Sequence, residues 1–326
     1  MATYVLDGKS AATLARRPLA ARIAVSGTPN ANGVRLVART ADGGPSGAVV
    51  ETAPTMLIIP HVTEEIVIGA VPQGSDLFAP GTIVHVSIGP DSAADYEADV
   101  AQLTPRDVSG LGFIKLASIA PGVADTVTVT TWLTRPDSKL PPLAEAARVA
   151  ARGALNVDQV AENRARPVRL FVDASASMAP LFASGMVAAA GDIVAGLAEV
   201  VSGGSEVTLG LLGPAAAPAV AVATNGVGAA LGTAPAQGYG LSGGPALPPA
   251  AGTLTVLVTD AAPADEPFDD QVLLVLSGAL SGTGGRRGAV LMPTDDPVQV
   301  LTARPDVVAR VVADLLAPFA LHGGVR

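Results

Sequence analysis

The chain has 326 residues, 49% of them apolar and 15% charged, with 36 Gly, 27 Pro and no Cys. This length favours two domains, and the apolar content is ample for two cores. The lack of cysteine excludes disulfide frameworks, zinc-thiolate centres and thiol catalysis, and a formal net charge of -9 argues against nucleic acid or an anionic membrane as partner, since both want a basic face.

The opening residues, Met1 to Lys9, show no basic segment followed by an apolar stretch, the pattern of a secretory leader. A cysteine-free, Ala-rich chain of this kind is expected to be bacterial and cytoplasmic. The longest uncharged stretch, residues 207–259, is broken by Pro214, Pro218, Pro235, Pro245, Pro248 and Pro249, so no membrane span is expected there.

Over residues 1–135, short β-like runs recur between turn residues. They cover 22–25, 34–39, 47–50, 56–59, 65–68, 82–88, 95–102, 112–116 and 126–133. The run Thr82-Ile83-Val84-His85-Val86-Ser87-Ile88 alternates apolar and polar residues, the period of a strand with one wet face. Such runs, spaced by Gly, Pro and Asn, predict an antiparallel β-sandwich.

Three of these runs carry a resemblance. They are Ile66-Val67-Ile68-Gly69-Ala70-Val71, Tyr96 to Val100 with Gly112 to Leu116, and Val127 to Trp132. Their order resembles the TerD-like domain, a β-sandwich associated with tellurium resistance and general stress response. That resemblance implies calcium binding through an Asp-Leu-Asp type segment. The corresponding place here is Val34-Arg35-Leu36, which has no acid, so the implied calcium site is lost. An unrelated β-sandwich remains the alternative.

Residues 136–166 read as a linker and connector. The proline-rich 135–142 is stiff, and 143–155 has helical spacing of Leu143, Ala146, Ala147, Ala150 and Leu155. The second domain is expected over 167–326. It begins with the buried strand Val168-Arg169-Leu170-Phe171-Val172, followed by Asp173-Ala174-Ser175-Ala176-Ser177. A helix is predicted over 181–201, with strands over 206–212, 218–223, 253–260, 271–276 and 289–292, and a closing helix over 305–319. Strands alternating with helices predict an α/β doubly wound, Rossmann-like parallel sheet covered on both faces. Such sheets place their sites at the carboxyl ends of the strands.

Two strands end in acids, Asp173 and Asp260. One carboxylate and two hydroxyls at alternate positions of a loop make a hard-oxygen pocket suited to Mg²⁺, Mn²⁺ or Ca²⁺. The Asp-x-Ser-x-Ser pattern resembles the metal-ion-dependent adhesion site (MIDAS) of the von Willebrand factor A (vWA) family. The resemblance implies direct ligation by Ser175 and Ser177, support from Asp173 and Asp260, and a metal position left for a partner's carboxylate. The family's middle-loop threonine would fall at Pro245, which has no ligand atom; Ser242, Thr233 and Thr224 are the available substitutes.

The resulting expectation is a non-enzymatic, metal-binding protein that captures an acidic partner residue through a divalent cation, in a bacterial stress or tellurite-resistance complex. The alternative is a structural scaffold with a degenerate, metal-free site, in which Asp173 and the serines only cap the following helix.

Overall fold

The computed structural model describes residues 2–27, 33–91, 99–131, 139–213, 218–232, 239–240, 250–262, 271–278 and 283–321. The chain divides into two compact units, Met1–Asp137 and Ser138–Arg326.

The first unit is built from β1 (Thr3–Leu6), β2 (Ala11–Ala15), β3 (Leu19–Ser26), β4 (Val34–Thr40), β5 (Val50–Ala53), β6 (Met56–Ile59), β7 (Ile66–Pro72), β8 (Ile83–Pro90), β9 (Val100–Leu103), β10 (Arg106–Asp107), β11 (Ile114–Pro121) and β12 (Thr126–Thr131). One sheet runs β1-β9-β8-β3-β6-β5 with β10 also on β8; the other runs β2-β12-β11-β7-β4. Alternation decides which side chains meet between them. Val84, Val86 and Ile88 of β8 share one core with Leu36 of β4, Ile66 and Ile68 of β7 and Val127 and Val129 of β12.

The first sheet is mixed, not antiparallel throughout, because β1 pairs parallel with β9. β1 leads into β2, which belongs to the other sheet, so no hairpin joins β1 to its neighbour and nothing forces an antiparallel direction. β1 and β2 also went unread in the sequence, and the run at 47–50 overlaps β5 only at Val50. Tyr96 and Trp132, which carried part of the TerD-like resemblance, lie outside the described residues.

The second unit holds α1 (Pro142–Leu155), β13 (Val168–Asp173), α2 (Ala179–Ala183), α3 (Met186–Val201), β14 (Glu206–Leu212), β15 (Val220–Ala223), α4 (Val227–Leu231), β16 (Leu254–Thr259), β17 (Gln271–Leu276), β18 (Gly288–Leu291), α5 (Pro297–Thr302) and α6 (Pro305–Leu321). Its sheet runs β15-β14-β13-β16-β17-β18. The strands are parallel except β15, which returns antiparallel on β14.

The doubly wound arrangement expected from the sequence is not what forms. Among the described residues the helices gather on one face of the sheet. There α3 packs on β13, β14 and β16, α6 packs on β17 and β18, and α1 seats on α3 and α6. They share one core with Val168, Leu170 and Val172 of β13 and Val256 and Val258 of β16. Among the described residues the opposite face carries a small cluster of Phe171, Leu257, Leu273 and Val275. In sequence, the connections after β16 and β17, residues 260–270 and 277–287, are each close to the minimum of about a dozen residues for a parallel crossover and carry several Pro and Gly, poor helix formers. Residues 263–270 and 279–282 of them lie outside the described residues. With three sheets, one of them carrying an antiparallel edge strand, the chain is mainly a β protein with a one-sided helical layer.

Two further differences have local causes. The helix expected over 181–201 is split into α2 and α3 at Gly185, which takes a left-handed φ of 78°. The helix expected as an interdomain connector, α1, is part of the second unit's core, with Leu143, Ala144, Ala147 and Ala151 buried. It approaches α3 so closely that a Cβ on Gly196 would lie 2.0 Å from the Ala144 carbonyl oxygen. Among the described residues, no single helix is long and apolar enough to cross a membrane.

Candidate functional site

β13 ends in Asp173 at the carboxyl edge of the sheet, and the chain then turns through Ala174, Ser175 and a short 3₁₀ segment, Ala176–Met178. Asp173 and Ser175 are buried while Ser177 is exposed. The Ser175 amide donates to Asp173 Oδ1 at 2.7 Å. The Thr259 hydroxyl donates to Asp173 Oδ2 at 3.0 Å. The Ser175 and Ser177 hydroxyls lie 3.0 Å apart. The loop's main chain is pinned from two sides. The Ala174 amide donates to the Leu212 carbonyl at 2.8 Å, and Gly240 clasps the loop through Ala176 N–H to Gly240 O (2.8 Å) and Gly240 N–H to Ala174 O (2.9 Å). Beside Gly240, the Tyr239 ring meets Phe182 edge-on at 5.8 Å.

Sheet register explains why Thr259 meets Asp173. β13 and β16 are parallel with Val172 beside Val258, so the next residues, Asp173 and Thr259, stand side by side and point the same way. Asp260 falls one position beyond and is half-exposed, and its carboxylate makes no hydrogen bond or ion pair among the described residues. Sequence reading singled out Asp260 and missed Thr259. The signal was present, since two parallel strands ending at matched positions align Asp173 with the residue before Asp260.

The three candidates for a completing ligand part ways. Ser242 and Thr233, with Pro245, lie outside the described residues, as does the acidic run Asp265, Glu266, Asp269 and Asp270. Thr224 is placed at the wrong end of the sheet. Its amide donates to the carbonyl of Ser205, just before β14 begins, and its hydroxyl donates to the buried Glu199 of α3. β14 lies in register beside β13, with Val207 opposite Val168 and Leu212 opposite Asp173. Thr224 is therefore a strand's length, roughly 20 Å, from the Asp173 carboxylate, and it cannot join that site. It locks the start of α4 to α3 instead. Asp192, two turns earlier on the same face of α3, does the same with the Gly228 amide; burial pushes its carboxyl up to about 6, partly opposed by that hydrogen bond.

A hard cation needs several oxygen ligands converging on one point. Among the described residues, no group of three or more Asp, Glu or His side chains could hold one, which leaves hydroxyl-led ligation. Two ligands at right angles on Mg²⁺, each 2.0–2.1 Å from the ion, stand roughly 2.9 Å apart. The Ser175 and Ser177 hydroxyls hydrogen-bond to each other at 3.0 Å, a distance that also equals that spacing. Each Asp173 oxygen accepts one protein hydrogen bond and keeps a second lone pair, so this carboxylate suits support through bound water. Neither Asp173 nor Asp260 is ion-paired among the described residues. The residues present fit a hydrated divalent cation.

Comparison with protein-family models, with curated proteins and with solved structures finds no match for this chain. Elsewhere, His85 of β8 hydrogen-bonds Ser26 of β3 at 2.8 Å on the first unit's surface, and His322 lies outside the described residues.

Proposed function

We propose that the carboxyl edge of the second unit's sheet is a divalent-cation-dependent binding site for a carboxylate presented by a partner protein. The observation that supports it is the hydrogen-bonded pair of hydroxyls, Ser175 and Ser177, at a separation equal to cis-octahedral spacing, beside a buried carboxylate with no ion pair among the described residues. In this reading Ser175 and Ser177 hold the cation directly. Asp173 orients bound water, and Thr259 and the Ser175 amide fix its carboxylate in place. Asp260, one residue beyond Thr259, adds negative charge at the edge. The cation, when bound, supplies the positive charge that attracts the partner's acid, and an exposed Ser177 leaves that acid a path to it. This is binding chemistry and requires no base or nucleophile.

A second reading has its own support. Asp173 and Ser175 already satisfy each other, and Thr259 closes the network, as in a helix-capping turn. On that reading the loop is a scaffold element and partners dock elsewhere. Calorimetric titration of Mg²⁺, Mn²⁺ and Ca²⁺ into the wild type and into Ser175→Ala and Asp173→Ala separates the two. The cation site requires binding in the wild type and its loss in both variants. No heat at millimolar metal leaves the scaffold reading. Co-purification with and without chelator then identifies the partner.

A further inference from the structure

The first unit carries a cleft that the proposed cation site does not use. It opens beside β4, the edge strand of the second sheet, whose outer side is bonded to the turn at 44–46 and to the Pro54 carbonyl, and has a volume of about 560 Å³. That lies within the roughly 300–1,000 Å³ of small-molecule sites. Arg35, Val37, Arg39, Ser46, Val49 and Glu51 line it. Residues 35, 37 and 39 alternate along β4, so both guanidinium groups and Val37 rise from the same face of the strand.

The two arginines are held differently. Arg35 is closed on Glu51 by a two-pronged pair, 3.0 Å from Nε and 2.7 Å from one Nη. Arg39 makes no ion pair among the described residues. Its guanidinium lies over the Phe113 ring, 4.0 Å from the centroid. The ring is there because Gly69 on β7, beside Val37 in register, has no Cβ; one would come within 2.4 Å of Phe113. Stacking fixes the plane of the guanidinium and leaves its N–H edge to meet a forked acceptor. The opposite wall is also preformed. The turn after β4 folds back on the strand through Thr40 N–H to Gly44 O (2.8 Å) and Ser46 N–H to Ala38 O (3.1 Å).

We propose that this cleft binds a small organic oxyanion, a carboxylate or a phosphate monoester, with Arg39 as the charged anchor and Val37 and Val49 against the ligand's apolar body. Among the lining residues Glu51 is paired with Arg35, which leaves Arg39 as the cation with no ion pair among the described residues. The pair of Arg35 with Glu51 gives its far end a polar boundary. A planar fork accepts either a carboxylate or a phosphate with two parallel hydrogen bonds.

Benzoate and phenyl phosphate, titrated by calorimetry into the full chain, are the anionic probes; benzyl alcohol is the neutral control and inorganic phosphate the bare anion. The expected result is binding of at least one aromatic anion, with benzyl alcohol and Arg39→Gln each weaker by about ten-fold or more, the loss of one charge-assisted pair. Arg39→Lys keeps the charge without the fork and falls between. Probe binding is the same with added Mg²⁺ and with chelator, which keeps this cleft separate from the cation site. Equal binding of benzyl alcohol, no binding of either aromatic anion, or unchanged affinity in Arg39→Gln overturns the proposal. Should Arg39→Gln not fold, the contrast between benzoate and benzyl alcohol on the wild type decides it. Which of the two aromatic anions binds more tightly distinguishes a carboxylate from a phosphate ligand.

Discussion

The hydroxyl of Thr259 donates to Asp173 Oδ2 at 3.0 Å across the seam between two parallel strands. Both residues are buried, and the contact exists only because β13 and β16 run in register. It holds the carboxylate of the candidate cation site from one side while the Ser175 amide holds it from the other.

Thr259→Val should therefore cost about 1–3 kcal/mol of stability, because it leaves a buried carboxylate oxygen without its donor. Thr259→Ser, which keeps the hydroxyl, should cost much less. Urea unfolding of the two variants measures the difference. Any metal affinity should fall in Thr259→Val as well, through the loss of Asp173 orientation.

On the cation reading, metal should stabilise the second unit. At a free Mg²⁺ concentration of 100 times Kd the gain is about 2.7 kcal/mol, seen as a rise in melting temperature that chelator reverses. Ser177→Ala should abolish that rise. Thr224→Val should leave it intact, since Thr224 belongs to the other end of the sheet, while lowering stability by about 1–3 kcal/mol through its lost hydrogen bond to Glu199. Equal loss of the metal effect in both variants would contradict the placement of Thr224.

Gly196→Ala should destabilise the second unit by about 1–3 kcal/mol, the usual cost of overpacking. The added methyl would lie 2.0 Å from the Ala144 carbonyl oxygen and 2.8 Å from the Ala147 Cβ, so α1 must move off α3. Thermal unfolding followed by circular dichroism reads the loss. An unchanged melting temperature would mean that α1 is not seated there.

Asp192 sets a pH dependence whose sign is fixed by burial. Its folded carboxyl titrates at about 6 against 3.8 in the unfolded chain. Between those values the folded state binds more protons, so this residue's contribution to stability falls as pH rises from about 4 to about 6 and stays low above that. Asp192→Asn should flatten that slope and raise stability near neutral pH by a few kcal/mol at most, on the order of 1.4 kcal/mol per pKa unit. Stability measured by denaturant across that pH range tests it. A wild-type profile with no decline there, or a variant with the same decline, would show that the carboxyl is not buried as described.

Much of the local structure was legible in the chain. Met56–Ile59, Glu206–Leu212 and Gln271–Leu276 form as strands where apolar runs predicted them, since a short apolar run between turn residues has few other ways to bury itself. β1 and β2 were missed because Thr3–Leu6 and Ala11–Ala15 are short and partly exposed, so little of their pattern reflects a core. The sequence also placed Asp173, Ser175 and Ser177 in one loop after a buried strand, because residues that close in the chain cannot be far apart in space.

Tertiary structure decided everything that depends on pairing at a distance. Strand register chose Thr259 over Asp260 as the partner of Asp173, and sheet direction put Thr224 at the opposite edge from the site. The gathering of α1, α3 and α6 on one face replaced the expected doubly wound sheet, because where a crossover runs is settled by packing and connection length and not by the periodicity of the strands it joins. The stack of Gly69, Phe113 and Arg39 likewise joins three strands' neighbourhoods that are remote in sequence. Periodicity along a chain reports which face of an element is buried. It carries no information about which other element buries it.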